Sequence, residues 1–104
     1  MHKKSRPLDI KIEIVNIWDW KTTNNLILKV KGLFRNSMWK VKEHSHKIIG
    51  DSIDLIIQST KVGDFGAMVL TPFEIIEKIQ LVDTGIIYKI KVIVDGEECT
   101  AFSL

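Results

Sequence analysis

The sequence predicts an all-β domain, and three observations support this fold class. Seventeen isoleucines, eight valines and six threonines make up almost a third of the 104 residues, and β-branched side chains pack well on a pleated sheet. Alanine, the best helix former, occurs only twice. Apolar and charged residues alternate in several short segments separated by turn signals. Together these features predict about seven strands in a two-sheet antiparallel β-sandwich.

The size and charge of the chain limit what it can be. At 11.9 kDa it supports one hydrophobic core, which we place in residues 9–104 after a basic, flexible tail of residues 1–8. A formal net charge of +2 is too small to indicate nucleic acid or an acidic membrane as partner. No apolar run approaches the roughly 18 residues of a membrane-spanning helix. Without a secretory signal, we expect a cytoplasmic protein, or alternatively a trimmed cell-envelope protein.

The first four strands are predicted from apolar residues at every second position, namely Ile10, Ile12 and Ile14; Leu26, Leu28 and Val30; Trp39 and Val41; and Ile53, Leu55 and Ile57. Val15 and Ile17 have the opposite parity, so we expect a bulge or bend near Asn16 in the first strand. Gly32 is expected to end or kink the second strand. The third strand leads into a polar stretch, residues 43–47.

Three further strands are predicted in the second half, from residues 67–70, 73–81 and 86–94. Pro72 lacks an amide proton and therefore belongs at a strand start, an edge or a bulge. Glu77 interrupts the apolar face of residues 73–81. A helix over these residues would have an even less continuous apolar face, so we predict a strand. Tyr88 begins the apolar face of the clearest strand, which alternates with lysines up to Val94.

The end of the chain contains a hairpin signal, because Asp95 and Gly96 both tolerate left-handed backbone conformations. A two-residue turn would place Phe102 and Leu104 on the same face as the lysines of the preceding strand. Burial of two large apolar side chains outweighs burial of one cysteine. We therefore predict a bulge or a longer loop that brings both residues into the core and turns Cys99 outward.

Two patterns resemble known β-sandwich domains. Gly85 lies three residues before Tyr88 at the start of a strand, which resembles the tyrosine corner of immunoglobulin-like and fibronectin type III domains, although Thr84 stands where proline is usual. From about Ile10 to Leu104 the chain also resembles small bacterial and archaeal immunoglobulin-like domains, often attached to cell-envelope proteins and mostly without assigned activity. The resembling segments are residues 32–41 and 69–74, Gly85, Tyr88 and the Asp95–Gly96 turn.

The resemblance implies an immunoglobulin-like sandwich and no catalytic residue. Members of this group tend to carry cysteines in or near the first two resembling segments, where this chain has Met38 and then Gly66 and Ala67. Cys99 is the only cysteine, so no internal disulfide forms. This departure from the group argues against an oxidising, extracellular location.

Trp18 and Trp20 are the first candidate binding residues. In an extended segment their indoles share a face and could form a stacking platform for sugars or bases. The alternative is that one or both cover the open end of the sandwich. Trp39 is expected to fill the core, as a strand tryptophan does in immunoglobulin domains.

His44 and His46 are a weak metal candidate, because residues two apart on a strand share a face and imidazole binds transition ions. A complete site needs further ligands, for which His2, Asp51 and Asp54 are available. We predict neither a metal nor another cofactor.

Six lysines occupy outward positions of predicted strands: Lys29, Lys31, Lys40, Lys42, Lys89 and Lys91. They would form a basic face if their strands shared a sheet, but lysine also protects exposed strands from aggregation. Only two arginines are present, and arginine is the residue that reads bases and phosphates bidentately. Nucleic acid is therefore not favoured as a partner.

Catalytic motifs are missing from the sequence: it contains no glycine-rich phosphate loop and no nucleophile elbow. Cys99 follows two glutamates, which disfavour a reactive thiolate. We therefore predict a non-catalytic domain that binds a protein partner. The alternative is a carbohydrate- or nucleic-acid-binding module that uses Trp18 and Trp20, and an edge strand could also form a homodimer.

Overall fold

A computed structural model describes residues 7–63 and 69–104, which form seven strands and one short helix. In chain order these are β1 (Leu8–Ile14), α1 (Trp20–Thr23), β2 (Asn25–Phe34), β3 (Trp39–Ile49), β4 (Ser52–Lys61), β5 (Thr71–Gln80), β6 (Lys89–Val94) and β7 (Glu97–Ser103). The predicted all-β class with about seven strands is confirmed. Among the described residues, no helix is long and apolar enough to cross a membrane.

The strands form two sheets packed face to face. One sheet has the order β1-β2-β5 and the other the order β3-β4-β6-β7. Alternation places the apolar residues of both sheets between them, and the fully buried strand residues include Leu26, Leu28, Val30, Ile53, Leu55, Ile57, Ile90 and Val92. The predicted two-sheet sandwich is therefore present, with its core in β2, β4, β5 and β6.

The four-stranded sheet is mixed, whereas the sequence predicted antiparallel sheets. β4 and β6 pair in parallel, from Ser52 beside Lys89 to Ile57 beside Val94, and all other neighbours are antiparallel. The reason is the route of the chain: it leaves β4, forms β5 in the other sheet and returns to start β6 at the end where β4 started. Parallel neighbours require such a crossover.

β1 ends at Ile14, so of the expected bulge or bend near Asn16 the structure has the bend, and the strand does not continue beyond it. Asn16 lies in a turn, where its side-chain amide donates to the carbonyl of Asn25 (2.7 Å) and accepts from the backbone N–H of Ile27 (3.0 Å). The Asn16 side chain thus makes hydrogen bonds to the β2 backbone that a further residue of β1 would otherwise make. The irregularity of β1 lies between Leu8 and Lys11 instead.

Pro7 and Leu8, which the sequence assigned to a flexible tail, belong to the folded domain. Residues 1–6 lie outside the described residues, while Leu8 already belongs to β1 and Pro7 is buried. The domain therefore begins no later than residue 7.

Gly32 neither ends nor kinks β2, which continues to Phe34. Gly32 pairs with Phe73 of β5, and a Cβ at this position would lie 2.6 Å from the Phe73 ring. The missing side chain therefore makes room for the ring, which also contacts Phe34 at a centroid distance of 4.7 Å.

β3 continues through the polar residues 43–47, so His44 and His46 lie on a strand, as the metal hypothesis assumed; a register shift falls between Val41 and Glu43. Trp39 does not fill the core as expected. It is half-buried, and its Nε1 is a buried donor without a partner. The core tryptophan is Trp20 of α1, which is 6% exposed.

The short strand predicted for residues 67–70 falls partly outside the described residues, and Val69 and Leu70 are not in a strand. β5 is a strand, as predicted, with Pro72 near its start on an edge of its sheet. β6 begins at Lys89 rather than at residue 86.

Tyr88 forms the expected corner contact just before β6. Its hydroxyl donates to the carbonyl of Asp83 (2.5 Å), while the Asp83 carboxylate accepts from the N–H of Gly85 (2.8 Å). These bonds fix the connection between β5 and β6.

The predicted bulge in the last strand is confirmed. Val94 pairs with Glu97 across a two-residue turn, and a register shift next to Val92 leaves Cys99 as the additional residue. Phe102 then pairs with Ile90 and packs, with Leu104, against the core. Cys99 does not turn outward, however: it is half-buried and also packs against the core.

Candidate functional site

Trp18 and Trp20 do not share a face, because their segment is a turn followed by helix α1 rather than an extended strand. Trp18 is 96% exposed, whereas Trp20 is 6% exposed and belongs to the core. The Lys21 ammonium lies 5.4 Å from the centroid of the Trp20 ring. The expected two-indole platform is therefore wrong, and Trp18 alone is available to a ligand.

Trp18 lies at an end of the sandwich where several connections meet. The N–H of Leu81 donates to the carbonyl of Asn24 (2.8 Å), which joins the end of β5 to α1. The N–H of Lys89 donates to the carbonyl of Asp51 (2.8 Å), which joins the start of β6 to the β3–β4 turn. A cavity of about 400 Å³ at this end is lined by Ile14, Ile17, Trp18, Trp20, Lys21 and Leu104.

This end of the molecule is apolar. Eight large hydrophobic side chains are exposed on the connections and on the last residues of β3 at this end, and we call them the apolar end: Val15, Ile17, Trp18, Ile48, Ile49, Val82, Ile86 and Ile87. Val82 is fully exposed and Ile87 is 71% exposed. Soluble domains rarely expose a large contiguous apolar patch without a binding role.

Charges at the apolar end are few and mixed. The connections at this end carry Asp19, Asp51 and Asp83, while Lys21 of α1 and Lys89 at the start of β6 lie beside them. Among the described residues, this end therefore lacks the basic groove that guides nucleic acids.

The six candidate lysines do not form one basic face. Lys29 and Lys31 lie in β2, whereas the other four lie in β3 and β6 of the opposite sheet. Lys29 pairs with Glu13 across the sheet, and the Lys31 ammonium lies 3.9 Å from the Glu74 carboxylate. These acidic neighbours further reduce the positive potential.

A second constellation lies where edge strand β3 faces edge strand β5 of the other sheet. His44 and His46 pair with the buried residues Ile57 and Leu55 of β4, so both histidines are on the inward face of β3. The His44 Nδ1 lies 2.5 Å from Glu77 Oε1, and the His46 Nδ1 bonds Glu77 Oε2. One carboxylate thus holds two imidazoles, and we call these three residues the His–Glu clamp.

Glu77 is the only buried charged residue among those described, at 8% exposure. Burial by itself raises the pKa of this carboxyl, but the hydrogen bonds from His46 and His44, together with their positive charge when protonated, outweigh it. The pKa of Glu77 is therefore below the ordinary value of a glutamate. The carboxylate is ionised at neutral pH.

The other predicted metal ligands do not join the histidines. Asp54 pairs with Lys47 and Lys91 on the outer side of its sheet, Asp51 lies in the β3–β4 turn, and His2 lies outside the described residues. Within residues 7–63 and 69–104, no group of three or more His, Cys, Asp or Glu side chains is arranged to enclose a metal ion.

Sequence reasoning singled out the two histidines but missed Glu77 as their partner. The sequence did contain a signal for Glu77, because this residue lies two positions from each of the buried residues Ile75 and Ile79 and therefore on the same face of β5. A carboxylate at such a position needs a partner from another element. The contact of Glu77 with β3 depends on how the two sheets pack against each other. The alternation of residues along β5 gives no information about this packing.

Comparisons of the chain with protein-family models, with curated proteins and with solved structures find no match. The case for a function therefore depends on the apolar end and the His–Glu clamp.

Proposed function

We propose that this protein is a non-catalytic, immunoglobulin-like binding module that engages a protein partner through the apolar end. The observation that carries the proposal is the 96% exposure of Trp18 among the other exposed residues of that end. Tryptophan is enriched among the residues that dominate binding energy in protein interfaces. A rigid sandwich that presents apolar connections at one end is suited to this role.

The chemistry of the apolar end favours protein over the alternative ligands. Seven of its eight exposed large side chains are aliphatic and only Trp18 is aromatic, whereas sugars and bases stack on aromatic rings. A protein partner can cover aliphatic side chains with its own apolar residues.

The immunoglobulin-like part of the proposal is supported by the hydrogen bond from the Tyr88 hydroxyl to the Asp83 carbonyl, which matches a tyrosine corner. The parallel β4–β6 pair is a departure, since both sheets of an immunoglobulin domain are antiparallel.

The test is cross-linking capture from lysate and envelope fractions of the source cells, with Trp18→Ala and Ile87→Ser as variants. Ile76→Ser is the matched control, because Ile76 is also exposed (48%) but lies on strand β5, away from the apolar end. We expect one specific protein to be captured by the wild type and the control and lost with both variants.

Equal capture by all four proteins would contradict the proposal. Quenching of tryptophan fluorescence by oligosaccharides or oligonucleotides in the wild type but not in Trp18→Ala, with no protein captured, would favour the alternative ligand classes instead.

A further inference from the structure

The His–Glu clamp leaves one nitrogen of each imidazole unused, and this is the starting point of a second, independent argument. A glutamate side chain is ordinarily a carboxylate at neutral pH, and a carboxylate can only accept hydrogen bonds. Each histidine must therefore donate from Nδ1 to Glu77. In the neutral imidazole this fixes the tautomer, because the proton is on Nδ1 and the lone pair is on Nε2.

Both imidazoles of the clamp are partly exposed to solvent. The side chains of His44 and His46 are 35% and 28% exposed, whereas that of Glu77 is 10% exposed. Solvent therefore reaches both imidazoles, while the carboxylate that they share is buried. The two histidines lie on one face of β3, with one residue between them, so both rings serve the same patch of surface.

We propose that His44 and His46 bind a divalent transition-metal ion through their Nε2 atoms, with Glu77 as the positioning residue that holds both imidazoles. Histidines that bind metals almost always donate their other N–H to a carboxylate, a carbonyl or water, which orients the ring and raises its basicity. Here one buried carboxylate does this for two histidines at once, and its negative charge favours a cation nearby.

The chemistry of the donors selects the class of ion. Imidazole nitrogen suits Zn²⁺, Cu²⁺ and Ni²⁺, while Mg²⁺ and Ca²⁺ prefer oxygen ligands. Two protein ligands leave at least two positions of a tetrahedral ion open to water or to a donor from a bound molecule. The site would thus be an exchangeable surface site rather than a closed structural one.

The test is calorimetric titration of the untagged full chain with Zn²⁺ at mildly alkaline pH. We expect one ion per chain for the wild type. His44→Gln and His46→Gln should each weaken binding by about tenfold or more, because the remaining imidazole loses the effective concentration of its neighbour. The matched control is His2→Gln, which removes a histidine elsewhere in the chain and should leave the affinity unchanged.

Glu77→Gln tests the positioning role. We expect zinc affinity to fall by about 10- to 100-fold, as is typical when the carboxylate behind a metal-binding histidine is lost. Nitrogen NMR of the metal-free protein supplies a readout that fold stability alone does not move. The wild type should show protonated Nδ1 and free Nε2 in both histidines, and Glu77→Gln should populate the other tautomer.

Three results would overturn the proposal: no heat of binding with millimolar Zn²⁺, loss of binding in His2→Gln, or single histidine variants that retain the wild-type affinity. Two independent histidines would give the last result, since removal of one halves the capacity without changing the affinity of the other. An unchanged zinc affinity and tautomer in folded Glu77→Gln would refute the role of Glu77. Circular dichroism of each variant establishes that it is folded.

Discussion

Alanine substitution at Trp18 and at Trp20 should have opposite consequences, although the two residues are nearly adjacent in the chain. Trp20 is 6% exposed, and truncation of a buried tryptophan to alanine costs about 3–5 kcal/mol through lost burial and the cavity left behind. A domain of this size has about 5–15 kcal/mol of total stability. Trp18 is 96% exposed, so Trp18→Ala should change the free energy of unfolding by no more than about 0.5 kcal/mol.

Urea denaturation followed by circular dichroism measures both effects. With a slope of roughly 1.5 kcal/mol per molar urea, Trp20→Ala should lower the unfolding midpoint by about 2–3 M, or leave the protein unfolded in buffer. Trp18→Ala should unfold at the wild-type midpoint. Comparable destabilisation by the two substitutions would refute the assignment of Trp20 to the core and Trp18 to the binding surface.

Three further predictions concern other parts of the fold. Gly32→Ala should destabilise by about 1–3 kcal/mol, because its Cβ would overlap the Phe73 ring at 2.6 Å; in a Phe73→Ala background, thermal melting should show that this cost disappears. Tyr88→Phe should lose about 0.5–1.5 kcal/mol with the bond to Asp83, and an unchanged melting curve would mean that the corner contact is unimportant. Folding lowers the pKa of Glu77, so the ionised carboxylate stabilises the folded state. This stabilisation is complete above the pKa of an unfolded glutamate, about 4.3, and is lost as the pH falls through the lowered pKa of the folded state. With a chelator present, Glu77→Gln should therefore lose less stability than the wild type on acidification, and parallel acid profiles would contradict this.

Alternation of apolar residues predicted most of the fold because it depends only on neighbouring positions. Leu26, Leu28 and Val30 are fully buried, and the parity conflict after Asp95 correctly required a bulge in β7. In each case the side of the strand that is buried can be read from the strand itself.

The errors occurred where tertiary contacts override the local signal. Gly32 stays inside a strand because Phe73 fills the space above it. The parallel pairing of β4 and β6 is likewise a property of the chain route, which no single strand encodes.

For the candidate sites, too, the sequence predicted what depends on a single strand and missed what depends on contacts between strands. The sequence indicated that His44 and His46 share a face, which is a property of one strand. It did not show that Glu77 from the other sheet lies between them. For Trp18 and Trp20, the prediction of an extended segment was wrong because Asn16 bonds the backbone of β2 and turns the chain.

The parallel pairing of β4 with β6 has a consequence for how the protein folds. The four-stranded sheet consists of two local hairpins, β3–β4 and β6–β7, which touch only along this pair. Each hairpin can form early from residues close in the chain, whereas the parallel pair joins residues that are separated by all of β5 and its two connections. Contacts over such long separations form slowly. The seam between the two hairpins is therefore expected to close after the hairpins themselves have formed, and until then the apolar faces of both hairpins remain open to other chains.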